Sequence, residues 1–509
     1  MTAIALVGAL VLSLLTLGSP RVHDVALMEY MAWLFRNGLT PYRDVFDMNF
    51  PGTYLLHMGS QSVFGVSDLA VQAANLVIIL IAAAAIWRLG SAWQTESRAT
   101  AIFLLVAGHV FVGGAYDAME RDWVMGALYL AVLALVAPGR SRTGEVAEGG
   151  PPVSTLCVAG LLGGFTVTMK PQGALILVAV PLVLAVAFSR RGRQLARDTA
   201  IVWGAALVSI GAVFSWVLAT GGFSAWTAII RTYLPLYSLL DGNGIPRDSL
   251  WVAAGSSLVK LLQPSIVLLL IAVVVSWLLV GRGLQGARRS SALVLLVAIV
   301  VGLLHAWSGF KLWRYHFAPF QMAALTFIGL MAFETGERIL ERVRLSKRAR
   351  VRLPQAAFSF VVIALVVLGI LSPPGQAASV REIEVRTVEA AEFMRSLKQP
   401  GDRVQILDTY EAGMNTALRA ELKPATRFVY DFHFFHNESD PAIVSLRQEF
   451  VESFDANQPR FVLLVKTSWG ARSSIEALDR FPELSERLRL NYTIGWDDGF
   501  LQVLVRKEI

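Results

Sequence analysis

Apolar segments of nearly bilayer-spanning length recur along most of this 509-residue chain. About 20 apolar residues in a helix cross a hydrocarbon core of roughly 30 Å, so each such segment predicts a membrane-spanning helix. The composition agrees, because 55% of the residues are hydrophobic, only 16% are charged and the mean hydropathy is +0.55. A soluble domain cannot bury that much apolar surface. We therefore predict an α-helical polytopic membrane protein.

Hydropathy predicts about eleven spans. They are Thr2–Leu17, Leu69–Leu89, Thr100–Ala115, Trp123–Ala137, Val153–Met169, Gly173–Phe188, Thr199–Ala219, Pro264–Val280, Ala292–Trp307, Phe317–Phe333 and Ala356–Leu371. We interpret the first as a retained helix, since it lacks the cationic start and the Ala-x-Ala site of a signal peptide. The single cysteine, Cys157, excludes an internal disulfide and a cysteine metal cluster.

Lys and Arg residues predict the orientation of the chain. They concentrate in five loops that share one side of the membrane if the helices alternate, and by the positive-inside rule that side is the cytoplasm. These loops contain Arg88 and Arg98, Arg140 and Arg142, Arg190 to Arg197, Arg282 to Arg289, and Arg338 to Arg352. They account for the net charge of +7 without a nucleic-acid partner. The N-terminus is then predicted to be cytoplasmic and the C-terminal tail extracytoplasmic.

Three segments on the predicted outer side are not ordinary loops. Asp24–Asn37 has apolar residues at helical spacing, which indicates an amphipathic helix on the membrane surface. A second short apolar segment, Tyr54–Phe64, follows the chain break at Pro51-Gly52. Ser249–Leu262 is interpreted as a further interfacial segment.

The composition changes to that of a soluble protein after Pro373-Pro374-Gly375. A helix is predicted over Glu382–Leu397, and strands over Val404–Leu407, Phe461–Val465 and Gly499–Val505. This alternation favours a small α/β domain. We predict a transmembrane domain over residues 1–375 and an extracytoplasmic α/β domain over 376–509.

Asp24 lies just outside the first span, where a carboxylate is costly to desolvate and usually persists because it does chemistry or binds charge. Transfer of a sugar to a hydroxyl needs a carboxylate at the attacking oxygen to accept its proton. The alternative is that Asp24 only caps the helix that follows.

Arg43, Asp44 and Asp47 form a charged cluster before Pro51-Gly52. An arginine there can bind a phosphate through two parallel hydrogen bonds, and Asp47 can orient that arginine or hold a divalent ion. The alternative is that these charges only face water and lipid headgroups.

Four ionisable residues, Asp117, Glu120, Arg121 and Asp122, meet at the outer junction of the third and fourth spans. Desolvating such charged residues costs free energy unless they pair with each other or with a ligand. We assign Asp117 and Glu120 a functional role. In the alternative, Asp122 caps the fourth span and Arg121 neutralises Glu120.

Cations are also predicted at the outer level of the membrane. Lys170 occupies a very short turn, and Arg314 and His316 follow a later span. Acids and cations that converge on one face suit a substrate that is both anionic and hydroxylated, such as a lipid phosphate-linked sugar. The alternative is that they are snorkelling anchors in an aromatic belt. His305, deeper in its span, is interpreted as a hydrogen bonder between helices.

The tail segment with Asp431, His433, His436 and Glu438 fits no strong metal-ligand spacing. We interpret it as a loop over the membrane face, and not as a metal site.

The run from Asp24 through Tyr42-Arg43-Asp44, Asp47 and Pro51-Gly52 resembles the first outer loop of GT-C glycosyltransferases. The bacterial branch similar to protein O-mannosyltransferases and lipid A aminoarabinose transferases is closest. That branch reads acidic-x-Lys-Pro-Pro where this chain has Asp47-Met48-Asn49-Phe50-Pro51. The expected lysine is missing, and Arg43, Lys170 and Arg314 are the candidate replacements. Other segments that resemble this branch are Glu120-Arg121-Asp122, Lys170-Pro171-Gln172 and Tyr315–Pro319.

The resemblance implies an inverting transfer from a polyprenyl-phosphate sugar to an acceptor hydroxyl at the outer face of the bacterial inner membrane. It implies Asp24 as the general base and Asp117 or Glu120 as a second acid. Arg43, Asp44, Asp47, Arg121, Lys170, Arg314 and His316 are then the expected substrate-binding residues. The resemblance does not decide whether a cofactor takes part, and a divalent metal at Asp47 or Glu120 is an option. The expected partners are the lipid-linked donor, a glycan, glycolipid or protein acceptor, and the bilayer.

Two other functions compete with this interpretation. A secondary transporter would show repeated halves and ionisable groups near the bilayer midplane, whereas here the charges gather at one face. A polysaccharide polymerase or ligase of the cell envelope would carry a dominant outer loop between late spans instead of a folded C-terminal domain.

Overall fold

The computed structural model describes residues 2–137, 150–188, 191–241, 244–342, 375–408, 412–466 and 474–508. These ranges contain twenty α-helices and one five-stranded sheet. The helices are α1 (Thr2–Leu15), α2 (His23–Arg36), α3 (Pro51–Phe64), α4 (Asp68–Leu89), α5 (Thr95–Gly108), α6 (Arg121–Val136), α7 (Val153–Met169), α8 (Ala174–Phe188), α9 (Gly192–Ala219), α10 (Phe223–Thr232), α11 (Leu234–Ser238), α12 (Leu250–Lys260), α13 (Pro264–Val280), α14 (Gly286–Ser308), α15 (Ala318–Arg342), α16 (Gly375–Leu397), α17 (Gly413–Arg419), α18 (Pro441–Asn457), α19 (Ser474–Leu478) and α20 (Pro482–Asn491).

The chain forms two compact units. The first, called the helical unit, comprises Met1–Ser19, Val71–Val213 and Ala254–Pro374. The second, called the mixed unit, comprises Pro20–Ala70, Phe214–Ala253 and Gly375–Ile509. This grouping differs from the predicted division into 1–375 and 376–509, because two segments from the first half of the chain pack with the C-terminal residues.

Seven helices among the described residues are long and apolar enough to cross a membrane: Asp68–Leu89, Thr95–Tyr116, Pro171–Phe188, Gly192–Ala219, Pro264–Gly283, Gly286–Ser308 and Arg314–Gly336. Each contains one predicted span. Three further predicted spans coincide with the shorter helices α1, α6 and α7. The eleventh span, Ala356–Leu371, and the basic residues at 140, 142, 190 and 344–352 lie outside the described residues. The prediction of a helical, multi-pass membrane protein is confirmed.

Small residues bring helices of the helical unit into close contact. A Cβ atom on Gly160 would lie 2.2 Å from the Val202 carbonyl oxygen, and one on Gly164 would lie 2.3 Å from that of Ala206. Helices α7 and α9 therefore pack backbone to backbone, as small-xxx-small patterns allow in membranes.

Helices α14 and α15 meet in the same way at Gly302, where a Cβ atom would lie 2.4 Å from the Phe320 amide nitrogen. His305 follows Gly302 by nearly one turn, and His316 precedes Phe320 by a similar distance along the chain. The close contact therefore holds the ends of both spans, and the two histidines, in one region of the helical unit.

The sheet of the mixed unit consists of β1 (Arg403–Leu407), β2 (Lys423–Pro424), β3 (Phe461–Val465), β4 (Tyr492–Asp497) and β5 (Leu501–Arg506) in the order β2-β1-β3-β5-β4. Strand β1 is parallel to β2 and β3, whereas β5 is antiparallel to β3 and β4. The predicted strands correspond to β1, β3 and β5, and the predicted helix Glu382–Leu397 lies within α16. The small α/β fold is confirmed.

Helix α2, the predicted surface helix, is largely buried. Ten of its fourteen residues are buried, including Glu29. It packs against α3 and α17, and the Tyr30 hydroxyl donates to the Leu422 carbonyl oxygen at 2.8 Å. Apolar side chains such as Val25 and Met31 occupy more than one face of the helix and are covered by protein, and its predicted place on the membrane surface stays a prediction.

The predicted interfacial segment Ser249–Leu262 coincides with α12. Leu250, Trp251 and Val259 are exposed on it. Its contact with a membrane surface stays a prediction.

Candidate functional site

Asp122 is the centre of a buried polar cluster in the helical unit. Its side chain is 0% exposed, and the Lys170 ammonium lies 2.9 Å and 3.0 Å from its two carboxylate oxygens. His305 Nε2 is hydrogen-bonded to the same carboxylate. Asp122 is the second residue of α6, Lys170 lies between α7 and α8, and His305 lies near the end of α14. Three separate spans therefore supply one ion-paired cluster.

Further polar groups surround this centre. The Tyr129 hydroxyl lies 3.1 Å from His305 Nδ1 and donates to the Gln172 carbonyl oxygen at 3.1 Å. His316 is buried and close enough to interact electrostatically with Lys170 and Asp122. The cluster is thus both charged and shielded from water, a setting in which electrostatic interactions are strong.

Glu120 caps α6 through its carboxylate, which accepts from the Asp122 amide at 2.6 Å. Arg121 Nε lies 3.8 Å from the other Glu120 oxygen. The alternative in which Asp122 caps this helix is wrong, because the Asp122 side chain is directed to Lys170 and His305. The neutralisation of Glu120 by Arg121 agrees with the observed ion pair.

The loop that precedes α6 has an unusual backbone. The helix before it ends in a π-helical turn, His109–Gly113, and Met119 adopts a left-handed φ of 63°. The Asn75 side chain holds both parts, since its amide nitrogen lies 3.0 Å from His109 Nε2 and its oxygen accepts from the Met119 amide at 3.4 Å. Such turns often occur at functional sites. Buried contacts therefore hold the loop that carries Asp117.

Asp117 is a buried acid of this loop. Burial raises its pKa to about 6, Arg314 opposes that shift, and the nearby Asp122 adds to it. A Cβ atom on Gly113 would lie 1.9 Å from a carboxylate oxygen of Asp117, so the carboxyl group is folded against a glycine backbone. A carboxyl group whose pKa is raised in this way is typical of functional acids.

We expect Asp117→Asn to remove a pH-dependent part of the stability. The folded-state pKa of about 6 exceeds the ordinary aspartate value of 3.8, so the folded protein binds the proton more tightly. The contribution of Asp117 therefore lowers stability as the pH rises from about 4 to about 6, by roughly 2–3 kcal/mol in total. Melting temperatures in detergent at pH 4 to 8 test this, and a variant that gains no stability over wild type at pH 7 to 8 contradicts it.

Asp47 lies in the mixed unit and is buried. The Tyr430 hydroxyl donates to it at 2.7 Å, the Asn49 amide donates at 3.1 Å, and the Tyr54 hydroxyl also donates. Burial, together with the Asp47 charge, raises the pKa of Tyr54 and of Tyr430 well above the usual value. Both hydroxyls therefore stay protonated, and Asp47 joins the first loop to the C-terminal segment. Its predicted role toward substrate or metal stays a prediction.

We expect Tyr430→Phe to destabilise the mixed unit by about 1.5–3 kcal/mol, because a buried carboxylate loses a charge-assisted hydrogen bond. Tyr492→Phe is the matched control, since that hydroxyl donates to the neutral Pro459 carbonyl oxygen at the same 2.7 Å. The control is expected to cost about 0.5–1.5 kcal/mol. Equal decreases in the free energy of unfolding for the two variants, in denaturant or thermal unfolding, would show that the Asp47 charge contributes nothing to stability.

Asp24 is the second residue of α2, in the mixed unit. The N-cap residue is Val22, so the alternative in which Asp24 caps the helix is wrong. The Asp24 side chain is 18% exposed, and its carboxylate lies 3.4 Å from His23 Nδ1. An acid in the first helical turn is stabilised by the helix dipole and is still accessible.

Arg43 and Asp44 form an ion pair at the surface of the mixed unit. Arg43 Nε lies 2.9 Å from Asp44 Oδ1, and the Arg43 side chain is 59% exposed. Asp44 also accepts from the Thr40 amide at 2.8 Å. This ion pair orients the Arg43 guanidinium. Lys170 in the helical unit is much less exposed than Arg43 and is therefore the less hydrated cation.

The structure groups the predicted site residues by unit. Asp24, Arg43, Asp44 and Asp47 belong to the mixed unit, and Asp117, Glu120, Arg121, Lys170, Arg314 and His316 belong to the helical unit. The prediction that both groups line one pocket stays a prediction.

Two pairings were missed from the sequence. His305 is a hydrogen bonder between helices, as predicted, but Asp122 was considered only as a helix cap, although an acid and a histidine inside apolar spans are a signal for mutual pairing. In the mixed unit, Glu29 accepts from Gln61 at 2.8 Å and lies 2.7 Å from His57 Nδ1. This second buried cluster connects α2 to α3 by hydrogen bonds.

Over the described part of the chain, no three or more His, Cys, Asp or Glu side chains are grouped so as to hold a metal ion. His433 packs among the rings of Phe46, Tyr233 and Tyr430, with centroid distances of 4.3–4.8 Å.

The fold of this chain is similar to that of ArnT from Cupriavidus metallidurans, which agrees with the fold that the sequence resemblance implies. ArnT from Cupriavidus metallidurans is similar over nearly its whole length, with 13% identity over 99% of this chain and 97% of that chain. The TM-score is 0.61 for its apo structure and 0.58 for the structure bound to undecaprenyl phosphate. No protein-family model and no curated protein sequence matches the chain.

Proposed function

We propose that this chain is an integral membrane glycosyltransferase that moves a sugar from a polyprenyl phosphate to an acceptor hydroxyl. The observation that carries the proposal is the buried cluster of Asp122, Lys170 and His305 in a fold shared with ArnT, which binds undecaprenyl phosphate. A phosphate leaves readily when fixed cations meet its developing charge. The cluster supplies such a cation in a largely buried position.

The cations of the helical unit bind the donor in this proposal. Lys170 is held inside the unit with its side chain 14% exposed, and Arg314 is close enough to stabilise the ionised form of Asp117. His316 lies close enough to Lys170 and Arg121 to interact with both of them electrostatically. A lysine ammonium suits a phosphate oxygen as a compact point charge.

Asp24 serves as the general base. The acceptor oxygen attacks the anomeric carbon and forms the new glycosidic bond, while the bond from that carbon to the phosphate oxygen breaks. The acceptor proton passes to the Asp24 carboxylate, and the lipid phosphate leaves with the bonding electron pair. Attack from the face opposite the leaving group inverts the configuration. Asp117 and Glu120 orient the acceptor hydroxyl.

The reaction is proposed to occur at the outer face of the bacterial inner membrane. The concentration of Lys and Arg in the predicted cytoplasmic loops supports that orientation. The mixed unit, with its C-terminal sheet, then faces the acceptor glycan, glycolipid or protein.

Mass spectrometry of the cell envelope tests this function. Glycolipids and polysaccharides are compared between cells with the gene, cells without it, and cells that carry Asp24→Asn. We expect one sugar-modified species to disappear in the last two strains and the polyprenyl-phosphate sugar to accumulate. Identical profiles in all three strains would overturn the proposal.

A further inference from the structure

The hydrogen bonds of Lys170 leave one donor for a ligand. A lysine ammonium has three N–H groups, and among the described residues the Lys170 ammonium is hydrogen-bonded only to the two oxygens of Asp122, at 2.9 Å and 3.0 Å. Asp122 thus fixes the direction of the side chain by two bonds. These two hydrogen bonds also orient the third N–H group, which takes part in neither of them.

Asp122 is itself held from the opposite side. His305 Nε2 is hydrogen-bonded to Asp122 Oδ1, and the Tyr129 hydroxyl lies 3.1 Å from His305 Nδ1. The Tyr129 hydroxyl is tied in turn to the backbone between α7 and α8 through the Gln172 carbonyl oxygen. All of the side chains that hold Asp122 are buried, so their rotamers are locked by packing.

A pair that served only to neutralise two charges would not need this support. Buried ion pairs contribute little net stability compared with apolar residues of similar volume. Here three side chains place the Lys170 ammonium. They are Asp122, which is 0% exposed, His305 from α14 and Tyr129 from α6, whereas the Lys170 side chain keeps 14% exposure. The arrangement therefore positions Lys170 for an anion.

We propose that Asp122, fixed by His305 and Tyr129, is a positioning residue that directs the remaining Lys170 N–H toward the phosphate oxygen of the lipid donor. This inference rests on the proposed function and adds three residues to it. Asp122, His305 and Tyr129 do not touch the sugar, and they act through Lys170.

Binding of undecaprenyl phosphate to the purified full chain in detergent tests the proposal. We expect roughly 10- to 100-fold weaker binding for Asp122→Asn, because the charged partner of Lys170 is lost. His305→Gln and Tyr129→Phe are expected to weaken binding by roughly 2- to 10-fold. Glu334→Gln is the matched control, since it removes a carboxylate from another ion pair of the same unit, with Arg288 at 2.7 Å, and is expected to leave binding unchanged.

Two further probes identify what is recognised. Undecaprenol, which lacks the phosphate, is expected to bind equally to wild type and to all variants. Inorganic phosphate is expected to bind far more weakly than the lipid. If it binds wild type as tightly as undecaprenyl phosphate does, the site recognises free phosphate and the proposal is overturned.

Kinetics separate positioning from mere folding. A less stable variant would lose active protein and lower kcat at an unchanged KM for the donor, whereas a misdirected Lys170 raises the donor KM. We expect the raised KM in Tyr129→Phe, which keeps the shape of the core, as well as in Asp122→Asn. Wild-type donor KM and affinity in both variants overturn this inference while the proposed function stands. Failure of the wild-type protein to bind undecaprenyl phosphate overturns both.

Discussion

Asp24→Asn is expected to lower sugar transfer by about 10²- to 10⁴-fold, the usual contribution of a general base, and to leave the protein folded. The amide keeps the size of the side chain but cannot accept the proton of the attacking hydroxyl. Because Asp24 is partly exposed and its nearby partner His23 is also partly exposed, the substitution leaves no buried charge without compensation.

Transfer from the lipid-linked donor is measured with purified protein, together with the melting temperature. Asp455→Asn is the control, since it makes the same change at a surface ion pair with Arg487 in the mixed unit and is expected to retain full activity. Full activity in Asp24→Asn would remove Asp24 from the mechanism.

Lys170→Met is expected to destabilise the helical unit by about 3–5 kcal/mol, because it leaves the Asp122 carboxylate buried without its cation. The double variant Asp122→Asn, Lys170→Met removes both charges and is expected to recover most of that stability. Transfer is expected to be lost in both variants, since neither has an ammonium for the lipid phosphate.

Thermal unfolding in detergent and transfer assays on the same preparations measure the two effects separately. A double variant as unstable as Lys170→Met would mean that the pair holds the helices together by more than charge compensation. A stable double variant that transfers sugar at the wild-type rate would exclude Lys170 as the donor-binding cation.

Spans and central strands were predictable from the sequence because their signals are local. A run such as Pro264–Val280 is apolar throughout, and β1 and β3 are short apolar segments with nearly every residue buried. Strand β4 was missed since it lies at the sheet edge, where most of its residues are exposed and Ile494 faces solvent. An edge strand needs few buried apolar residues and therefore gives little periodic signal.

The pairings in the candidate site were less predictable because they join distant parts of the chain. His305 and Asp122 are separated by 183 positions, and Tyr430 and Asp47 by 383. The sequence identifies each residue as an ionisable or polar group in an apolar context. Only the packing of helices, for example at Gly302, determines which of these groups meet.

A structure of the protein with undecaprenyl phosphate in a lipid environment tests the central claim most directly. We expect the phosphate within about 2.7–3.0 Å of the Lys170 ammonium, with Asp24 and Glu120 facing the same lipid-accessible crevice. A phosphate bound away from Lys170, or Asp24 and Lys170 in separate clefts, would contradict the account.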